Sequence, residues 1–443
     1  MTGLRILFVT PYVPSPLRVR SYNFIRQLSR QGHRVTVATL CTPGEETAAA
    51  ALRVECERVL TAPFGFGGAI WNCVRNAWMQ APLQALCTFS AVLGRRLATE
   101  LGTTRGGNGH GAPYDLIHIE FLRAALFGLT VQGLPRVYDS VDCISRLLES
   151  TATLAGSPIA RCAARIDLNA TRRFEGRLIG EFEHTLATSD ADRQALATLV
   201  EQSWQRLGGA TRQQPQTPAA PAITVVPTGV DLQYFQPRHS VREAGTLVFV
   251  GRMSYHANVT AVLQFVHSVM PRIWAQRPDT RLLIVGSNPN RSVRRLARQY
   301  GPRVVVTGAV PDTRPFLARA TVSVNPLVYA VGVQSKILEA MAMGTPVVVT
   351  PPASGSMRVQ HGRHLLIAED AVQFAQHVLH LFDDTALRVH LAENGRRYVE
   401  DHHDQRTVGV QLEDIYCRAI AQFRTHQSFA HQPLHRVART GSV

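Results

Sequence analysis

The sequence is nearly devoid of lysine. Of its 47 basic residues, Lys336 is the sole lysine and all the others are arginine. Arginine therefore stands wherever either basic residue would serve, and this pattern indicates that position 336 needs a compact ammonium group rather than a planar guanidinium. Lys336 is the first candidate for a functional residue.

Cysteine is sparse and follows no metal-binding or disulfide pattern. The seven cysteines are scattered along the chain, and no Cys-x-x-Cys pair occurs. An odd number at irregular spacing argues against a zinc site and against a disulfide framework, and it favours a reducing compartment. The sequence therefore predicts no metal site and no disulfide frame.

Long hydrophobic runs are also lacking. No apolar run approaches 18 residues, so we predict no membrane-spanning helix. The stretch Leu4–Val9 is too short for the core of a signal peptide, and Thr10-Pro11 ends it. Together with the cysteine pattern, this predicts a cytoplasmic protein.

Two glycine motifs of nucleotide-binding proteins are absent. The loop after the predicted strand Arg5–Thr10 contains no Gly-x-Gly-x-x-Gly, which excludes a dinucleotide fingerprint there. The glycine-rich stretch Thr103–Ala112 has no lysine followed by serine or threonine, so it is not a phosphate-binding P-loop. We interpret that stretch as a surface loop.

Acidic residues are scarce where basic residues concentrate. The net charge is +15; residues 1–105 contain 12 arginines against five acids, and residues 252–336 contain 12 basic residues against two acids. Such a balance suits nucleic acid, anionic lipid or a phosphorylated ligand. Basic runs interleaved with aromatic residues and zinc-finger spacings are both missing, so we expect no nucleic-acid partner.

Short apolar strands alternate with helices along the chain. Arg5–Thr10 and Arg34–Leu40 flank a helix at Ser21–Gln31, and this βαβ opening predicts a parallel sheet. Further strands are predicted at 115–119, 136–141, 184–189 and 223–230, and then at 247–250, 281–285, 304–307, 321–325 and 346–350.

Two such series predict an α/β protein with two Rossmann-like domains, each a doubly wound parallel sheet, facing across a cleft. We place the first domain at 1–240 and the second at 246–404, with a polar linker near 238–245. Residues 426–443 are predicted to be disordered.

An aromatic and basic segment at 64–93 has two interpretations. Trp71, Val74 and Trp78 fall on one helical face. That face could enter a bilayer surface or contact a lipid-linked substrate. It could equally be the buried face of a core helix, and the core helix is favoured because the polar face is not strongly basic.

Lys336 begins a predicted helix at the wall of the cleft, and Gly344 and Pro346 mark its end. Lys336 and Glu339 share a face near the helix N-terminus, where the ammonium and the helix dipole both favour a phosphate. The alternative is a solvated ion pair between the two side chains. Arg252, after a strand, would give a bidentate contact to the same diphosphate.

Two carboxylates in the first domain lie at a strand end. Asp139 and Asp142 end or follow the strand 136–141, and catalytic groups gather at such ends in open α/β sheets. Helix capping by an aspartate is the competing explanation.

Seven segments resemble those of GT-B-fold glycosyltransferases of family 4, the retaining group that uses sugar nucleotides. The chain is especially similar to a branch associated with bacterial exopolysaccharide synthesis. The matching segments, in order, are FVTPYVP at 8–14, RSYNFIRQL at 20–28, VVPTGVDLQYF at 225–235, FVGRM at 249–253, LLIVG at 282–286, VTGAVPD at 306–312 and SKILEAMAMGTPVV at 335–348.

The resemblance implies a role for each matching position. Arg252 and Lys336 would bind the diphosphate, Glu339 would hold the ribose, and Val310 would meet the nucleobase through its backbone. Asp142 would stand near the reacting sugar as a catalytic residue. The donor site would also include Ser335, Gly332, Val333, Gly251 and Gly308. A final helix at about 405–425 would return to the first domain, and no cofactor is implied beyond the sugar nucleotide.

The chain departs from the family at four positions. Val331 replaces the first glutamate of a Glu-x7-Glu motif, and Ala257 replaces a lysine whose charge Lys336 would supply. Asp142 replaces a histidine, and Thr228 replaces an asparagine. These changes do not alter the predicted enzyme class. They concern the identity of the transferred sugar and the contacts made by the catalytic residues.

The resemblance predicts retaining transfer from a sugar nucleotide to a glycan or lipid-linked acceptor, in exopolysaccharide or other cell-surface glycan synthesis. Contact with the inner face of the cytoplasmic membrane would accompany a lipid-linked acceptor. Two alternatives stay open: a non-catalytic sugar-nucleotide-binding partner of another transferase, and a sugar-nucleotide epimerase. The scarcity of acids between 252 and 336 argues against the epimerase.

Overall fold

The computed structural model describes residues 3–16, 18–102, 113–154, 158–208, 222–237, 241–330 and 332–430. Within these ranges the strands form two sheets. The first sheet contains β1 (Arg5–Thr10), β2 (Arg34–Cys41), β3 (Arg58–Pro63), β4 (Leu116–Glu120), β5 (Arg136–Asp139), β6 (His184–Ala187) and β7 (Ile223–Val225). The second contains β8 (Glu243–Val250), β9 (Arg281–Val285), β10 (Val304–Gly308), β11 (Ala320–Asn325), β12 (Val347–Val349) and β13 (Leu366–Ile367).

Helices connect these strands. The first half has α1 (Val19–Arg30), α2 (Glu46–Leu52), α3 (Phe66–Asn76), α4 (Leu83–Thr88), α5 (Ala91–Gly102), α6 (Ala125–Thr130), α7 (Ile144–Leu154), α8 (Pro158–Leu178) and α9 (Asp190–Gly208). The second half has α10 (His256–Gln264), α11 (Met270–Trp274), α12 (Arg291–Tyr300), α13 (Arg314–Arg319), α14 (Ser335–Ala342), α15 (Pro351–Ser354), α16 (Ala371–Asp383), α17 (Thr385–His403) and α18 (Gln405–Ala430).

Both sheets are parallel and doubly wound, which confirms the predicted α/β architecture. The first sheet has the order β3-β2-β1-β4-β5-β6-β7, and the second has the order β10-β9-β8-β11-β12-β13. The chain reverses its winding direction between β1 and β4 in the first sheet and between β8 and β11 in the second. In open α/β sheets, ligands bind at the carboxyl ends of the strands beside such a reversal.

The central strands are buried on both faces. In β1, Ile6 and Phe8 pack into one apolar cluster with α1 and α18, whereas Leu7 and Val9 pack into another on the opposite face. This two-sided burial explains why the strands read as continuous apolar runs rather than as alternating patterns.

The last helix joins the first domain's core. In α18, Leu412, Ile415 and Tyr416 are fully buried in the cluster that contains Phe8 and Phe24. Tyr416 Oη and His118 Nδ1 lie 2.8 Å apart in a buried hydrogen bond. The first and the last of the described strands and helices, β1 and α18, thus share one domain.

Several boundaries differ from the predictions. Strands β3 and β13 were not predicted, since β3 has only Val59 and Leu60 as strongly apolar residues and β13 is only two residues long. β8 begins at Glu243, inside the predicted linker, and residues 238–240 lie outside the described residues. α18 continues to Ala430, beyond the predicted end at 425, and residues 431–443 of the predicted tail lie outside the described residues, as does the loop 103–112.

The prediction of a core helix within 64–93 was wrong. Trp71, Val74 and Trp78 are 64%, 67% and 78% exposed, and the buried residues of α3 are Asn72 and Asn76. The apolar face points outward because the two asparagine amides bond to the backbone beneath the helix. Asn72 Nδ2 donates to the Cys87 carbonyl at 3.0 Å.

The expectation of no disulfide was also wrong. Cys73 of α3 and Cys87 of α4 form a disulfide across a sequence separation of 14. Helix α3 turns back onto α4, and this brings two cysteines together whose spacing carries no recognisable motif. Across the described residues, no helix is both long and apolar enough to cross a bilayer.

Candidate functional site

Lys336 lies in the first turn of α14, beside the winding reversal of the second sheet. Its Nζ donates to Asn258 Oδ1 at 2.6 Å and stands 4.9 Å from the centroid of the Phe249 ring. Within the described part of the chain, no carboxylate lies within ion-pair distance of this ammonium. The charge is therefore held in position and left available for an anion.

The N-terminus of α14 adds to this positive potential. The helix begins at Ser335, and the side chain at the preceding position, Gln334, makes no capping hydrogen bond to the first turn. Since the first backbone amides of a helix point outward along its axis, they favour an anion at this end. Ser335 and Lys336 thus present amides and an ammonium on the same side.

Asn258 connects the parts of the site, and the sequence analysis did not identify it. Its Oδ1 accepts from Lys336, and its Nδ2 donates to the Arg252 carbonyl at 3.0 Å. Gly251 lies directly above: a methyl group there would stand 2.8 Å from Asn258 Nδ2 and 3.3 Å from Lys336 Nζ. No local pattern marks Asn258, because its partners are distant in sequence.

Glu339 stands one helical turn after Lys336, is 9% exposed, and forms no ion pair with it within the described residues. The solvated ion-pair alternative is therefore not what the structure shows. Burial raises the pKa of the Glu339 carboxyl to about 7, opposed by the charge of Lys336. Burial likewise lowers the pKa of the Lys336 ammonium to about 8, opposed by the charge of Glu339.

Three glycines at the carboxyl ends of neighbouring strands lie close together beside this site: Gly251 after β8, Gly286 after β9 and Gly308 at the end of β10. Gly286 has a φ of 151°, and a methyl group on it would meet the Gly251 carbonyl at 1.8 Å. The Gly286 amide donates to the Gly308 carbonyl at 3.1 Å. Val310, two residues further, is partly buried against the second domain's core. The backbone can therefore approach a ligand closely along this edge.

Arg252 is exposed at the mouth of the cleft and faces a second arginine from the first domain. Arg123, just after β4, has its pKa lowered by burial and further by the nearby charges of Arg18 and Arg252. Three guanidinium groups from two domains thus converge on one region. Sequence analysis missed Arg123, because only the fold places the end of β4 opposite Arg252.

Asp142 contacts the second domain. Its Oδ1 lies where a methyl group on Gly332 would be, at 1.8 Å from that position, so only a glycine can pack there. Burial raises the pKa of the Asp142 carboxyl to about 7, and the nearby Asp192 adds to this effect. The preceding Val141 has a φ of 61°, a strained value for a β-branched residue, and such strain concentrates at functional positions.

Asp139 is neither a helix cap nor free for chemistry. Both its oxygens accept from the Arg20 guanidinium, at 2.7 and 3.1 Å, within the first domain's core. Next to it, Glu120 is fully buried, and its pKa is raised to about 8 by burial and then by the charge of Asp139.

Val333, the residue after Gly332, lines a separate cavity. This cavity of about 290 Å³ is also lined by Thr188, Pro227 and Met357, and none of the other candidate donor-site residues borders it. Val331, where the family's glutamate is replaced, lies outside the described residues. The structure therefore gathers Arg252, Gly251, Lys336, Glu339 and the pair Asp142–Gly332 along one cleft and sets Val333 at its edge.

Comparison with known families points to one class. Residues 244–384 match the family model described as glycosyl transferases group 1. The matched stretch runs from within β8 to the end of α16 and contains Arg252, Lys336 and Glu339.

Curated relatives agree with this match. A D-inositol 3-phosphate glycosyltransferase of Pseudarthrobacter chlorophenolicus is 30% identical over 214 residues, covering 44% of this chain and 50% of that protein. A GDP-mannose-dependent monoacylated alpha-(1-6)-phosphatidylinositol monomannoside mannosyltransferase of Corynebacterium glutamicum is 26% identical, covering 44% and 56%. An uncharacterised 44.6 kDa protein in the cps region of Klebsiella pneumoniae is 24% identical, covering 37% and 43%. The chain spans about half the length of these curated relatives.

Solved structures share the complete two-domain arrangement. Anabaena HepE in complex with UDP-glucose superposes with a TM-score of 0.61 at 17% identity, covering 96% of this chain and 100% of that one. WaaG, a glycosyltransferase involved in lipopolysaccharide biosynthesis, gives 0.62 at 17% identity, covering 93% and 99%. The chain has the GT-B fold, and its residues 244–384 are similar to glycosyl transferases group 1.

Proposed function

We propose that this protein is a glycosyltransferase that moves a sugar from a nucleotide-diphosphate sugar to a glycan or lipid-linked acceptor, with retention of anomeric configuration. Its role would be in exopolysaccharide or other cell-surface glycan synthesis, on the cytoplasmic side of the membrane. One observation carries the proposal: the Lys336 ammonium, without a carboxylate partner in the described residues, at the N-terminus of α14.

The residues of the cleft have distinct roles in this proposal. Lys336, the first amides of α14 and Arg252 bind the diphosphate, because a cation lies at a helix N-terminus and Asn258 ties the backbone of Arg252 to that cation. Glu339, whose carboxylate has no hydrogen-bond partner among the described residues, accepts from the ribose hydroxyls. Gly251 and Gly308 let the backbone approach the nucleotide, and Asp142 faces the sugar from the first domain.

The reaction proceeds on one face of the sugar. The bond from the anomeric carbon to the diphosphate oxygen breaks, the acceptor hydroxyl oxygen bonds to that carbon from the same side, and the hydroxyl proton passes to the departing phosphate. Negative charge grows on the diphosphate as the bond breaks, so fixed cations stabilise the transition state more than the ground state. The Corynebacterium relative, which its name describes as GDP-mannose-dependent, and HepE, solved in complex with UDP-glucose, support this donor class.

Thermal-shift measurements with UDP, GDP and ADP, alone and as sugar nucleotides, test the donor site. We expect one nucleotide diphosphate to raise the melting temperature by about 2 °C or more at saturation. Lys336→Ala should abolish this shift and lower the transfer rate by about 10²- to 10³-fold, the usual effect of removing one such contact. The melting temperature of the variant without ligand should be almost unchanged. Burying the ammonium costs desolvation free energy, and removing the lysine relieves that cost while it removes the contact with Asn258.

Arg281→Ala is the matched control. Arg281 is a basic residue at the amino end of β9, the edge opposite the site, so its variant should bind and transfer as the unmodified protein does. A Lys336→Ala enzyme with full activity would refute the site. Binding without any transfer would favour the non-catalytic alternative instead.

A further inference from the structure

Helix α3 and the turn that follows it expose large apolar side chains. The exposed fractions are 84% for Phe66, 52% for Ile70, 64% for Trp71, 67% for Val74 and 78% for Trp78. At helical spacing these positions fall within one arc of α3 and its continuation at Ala77–Met79. Contiguous exposed apolar surface of this kind marks an interaction site.

The opposite side of α3 is polar and faces the protein. Asn72 is 7% exposed and Asn76 is 5% exposed. Their side-chain amides donate to the carbonyls of Cys87 and Phe89, at 3.0 and 3.1 Å. The helix is therefore anchored through polar groups with its apolar face outward, the reverse of an ordinary surface helix.

Exposed apolar side chains also occur on α4 and on α8, which contacts α4. Leu83, the first residue of α4, is 49% exposed, and its amide donates to Asp167 Oδ1 of α8 at 2.9 Å. Next to Asp167, Ile166 is 68% exposed, and Ile159, two turns earlier, is 82% exposed. We call the exposed side chains of Phe66, Ile70, Trp71, Val74, Trp78, Leu83, Ile159 and Ile166 the α3 surface.

Basic side chains outnumber acidic ones near the α3 surface. No acidic residue occurs between Arg58 and Glu100 in the sequence, and the carboxylate of Asp167 is bonded to the Leu83 amide. Arg75 of α3 bonds only to a carbonyl and an amide oxygen, and in the described ranges no carboxylate pairs with Arg75 or Arg165. A second copy of the same surface would bring arginine against arginine, which like charges disfavour.

We propose that the α3 surface docks on an anionic phospholipid bilayer, with Trp71 and Trp78 at the headgroup level and the arginines among the lipid phosphates. Tryptophan prefers this interface, and arginine gains from negative surface charge there. This contact is separate from the donor site and does not depend on the transfer reaction. It would hold the first domain, on the acceptor side of the proposed cleft, against a lipid surface.

Co-sedimentation of the full chain with phosphatidylglycerol–phosphatidylcholine vesicles tests this proposal. The double variant Trp71→Ala/Trp78→Ala should bind at least about tenfold more weakly, since each indole removed forfeits burial of a large apolar surface. Arg75→Gln/Arg165→Gln should bind more weakly to these vesicles and unchanged to pure phosphatidylcholine. Binding by the unmodified protein should weaken as salt is raised.

Trp204→Ala is the matched control. Trp204 is 42% exposed on α9. Its neighbour Ser203 packs on Gly176 of α8, and Gly176 lies about 15 Å along α8 from Ile166 at the usual rise per residue. Trp204 is therefore remote from the α3 surface. This variant should bind vesicles normally, and every variant should keep its nucleotide-induced thermal shift. Equal vesicle binding by the Trp71→Ala/Trp78→Ala variant would overturn the proposal. Concentration-dependent self-association that this variant loses would overturn it in favour of a protein interface.

Discussion

At the scale of single residues, Gly251 controls how Lys336 is held. A methyl group at 251 would press on Asn258 and on the ammonium, the two groups that the hydrogen bond between Lys336 and Asn258 joins. We expect Gly251→Ala to weaken binding of the nucleotide diphosphate about tenfold, the effect of losing about 1.4 kcal/mol, measured by calorimetric titration.

The control for this variant is Gly94→Ala, in α5. A methyl group there meets nothing within 4 Å, and alanine favours a helix interior over glycine. Its nucleotide affinity should stay as in the unmodified protein. Normal affinity in Gly251→Ala would show that the position tolerates a side chain and that Lys336 is not the diphosphate contact.

Opposed pKa shifts of neighbouring groups predict the pH dependence of donor binding. Lys336 must be protonated to attract the diphosphate, so affinity should fall as pH rises through about 8. Glu339 must be ionised to accept from the ribose, so affinity should fall as pH drops through about 7. Affinity measured from pH 5.5 to 9.5 should therefore peak between these values, and Glu339→Gln should remove the acid side of the profile alone. A profile that keeps both sides in Glu339→Gln would contradict this assignment.

At the scale of elements, the polar residues of α3 should contribute more to the stability of the fold than its large apolar residues, which is the reverse of an ordinary surface helix. Asn72→Ala should lower the free energy of unfolding by about 1–2 kcal/mol, because the Cys87 carbonyl loses its buried donor. Trp71→Ala should change it by less than about 0.5 kcal/mol, although a buried tryptophan would cost far more. Urea denaturation of both variants measures this contrast, and a larger loss in Trp71→Ala would show that the indole is buried in solution.

Two turns of the first domain hold non-glycine residues in a strained backbone conformation beside the cleft. The turns after β4 and β5 hold Phe121 and Val141 at φ values of 67° and 61°. These turns carry Arg123 and Asp142 to the mouth of the cleft. A non-glycine residue at positive φ is held there only by its surroundings, so the positions of both side chains depend on the assembled first domain.

At the scale of the whole molecule, α18 follows the second domain along the chain and packs into the core of the first domain. The buried hydrogen bond between Tyr416 and His118 joins residues 298 positions apart. Tyr416→Phe should lower the free energy of unfolding by about 1–2 kcal/mol, since His118 Nδ1 is left buried without a partner. Tyr300→Phe is the control, because its hydroxyl makes a long, exposed contact of 3.4 Å. Equal melting temperatures for both variants would show that the Tyr416 bond does not stabilise the fold.

Much of the fold could be predicted, because parallel strands buried on both faces leave short apolar runs in the sequence. β3 and β13 could not, since most residues of β3 are at least partly exposed and β13 has only two residues. In the site, Lys336 stood out as the sole lysine. Asn258 and Arg123 did not stand out, because their partners lie on other elements or in the other domain.

The sequence by itself determined the alternation of strands and helices, the two-sheet architecture and the motifs of the second domain, because these depend on local periodicity and spacing. Tertiary structure alone decided which way α3 faces, that Cys73 meets Cys87, and that Asp142 packs on Gly332. The physical reason is that periodicity shows which residues share a face but not what that face meets. In α3, two buried asparagine amides anchor the polar face to the protein, and the apolar face is therefore exposed to solvent.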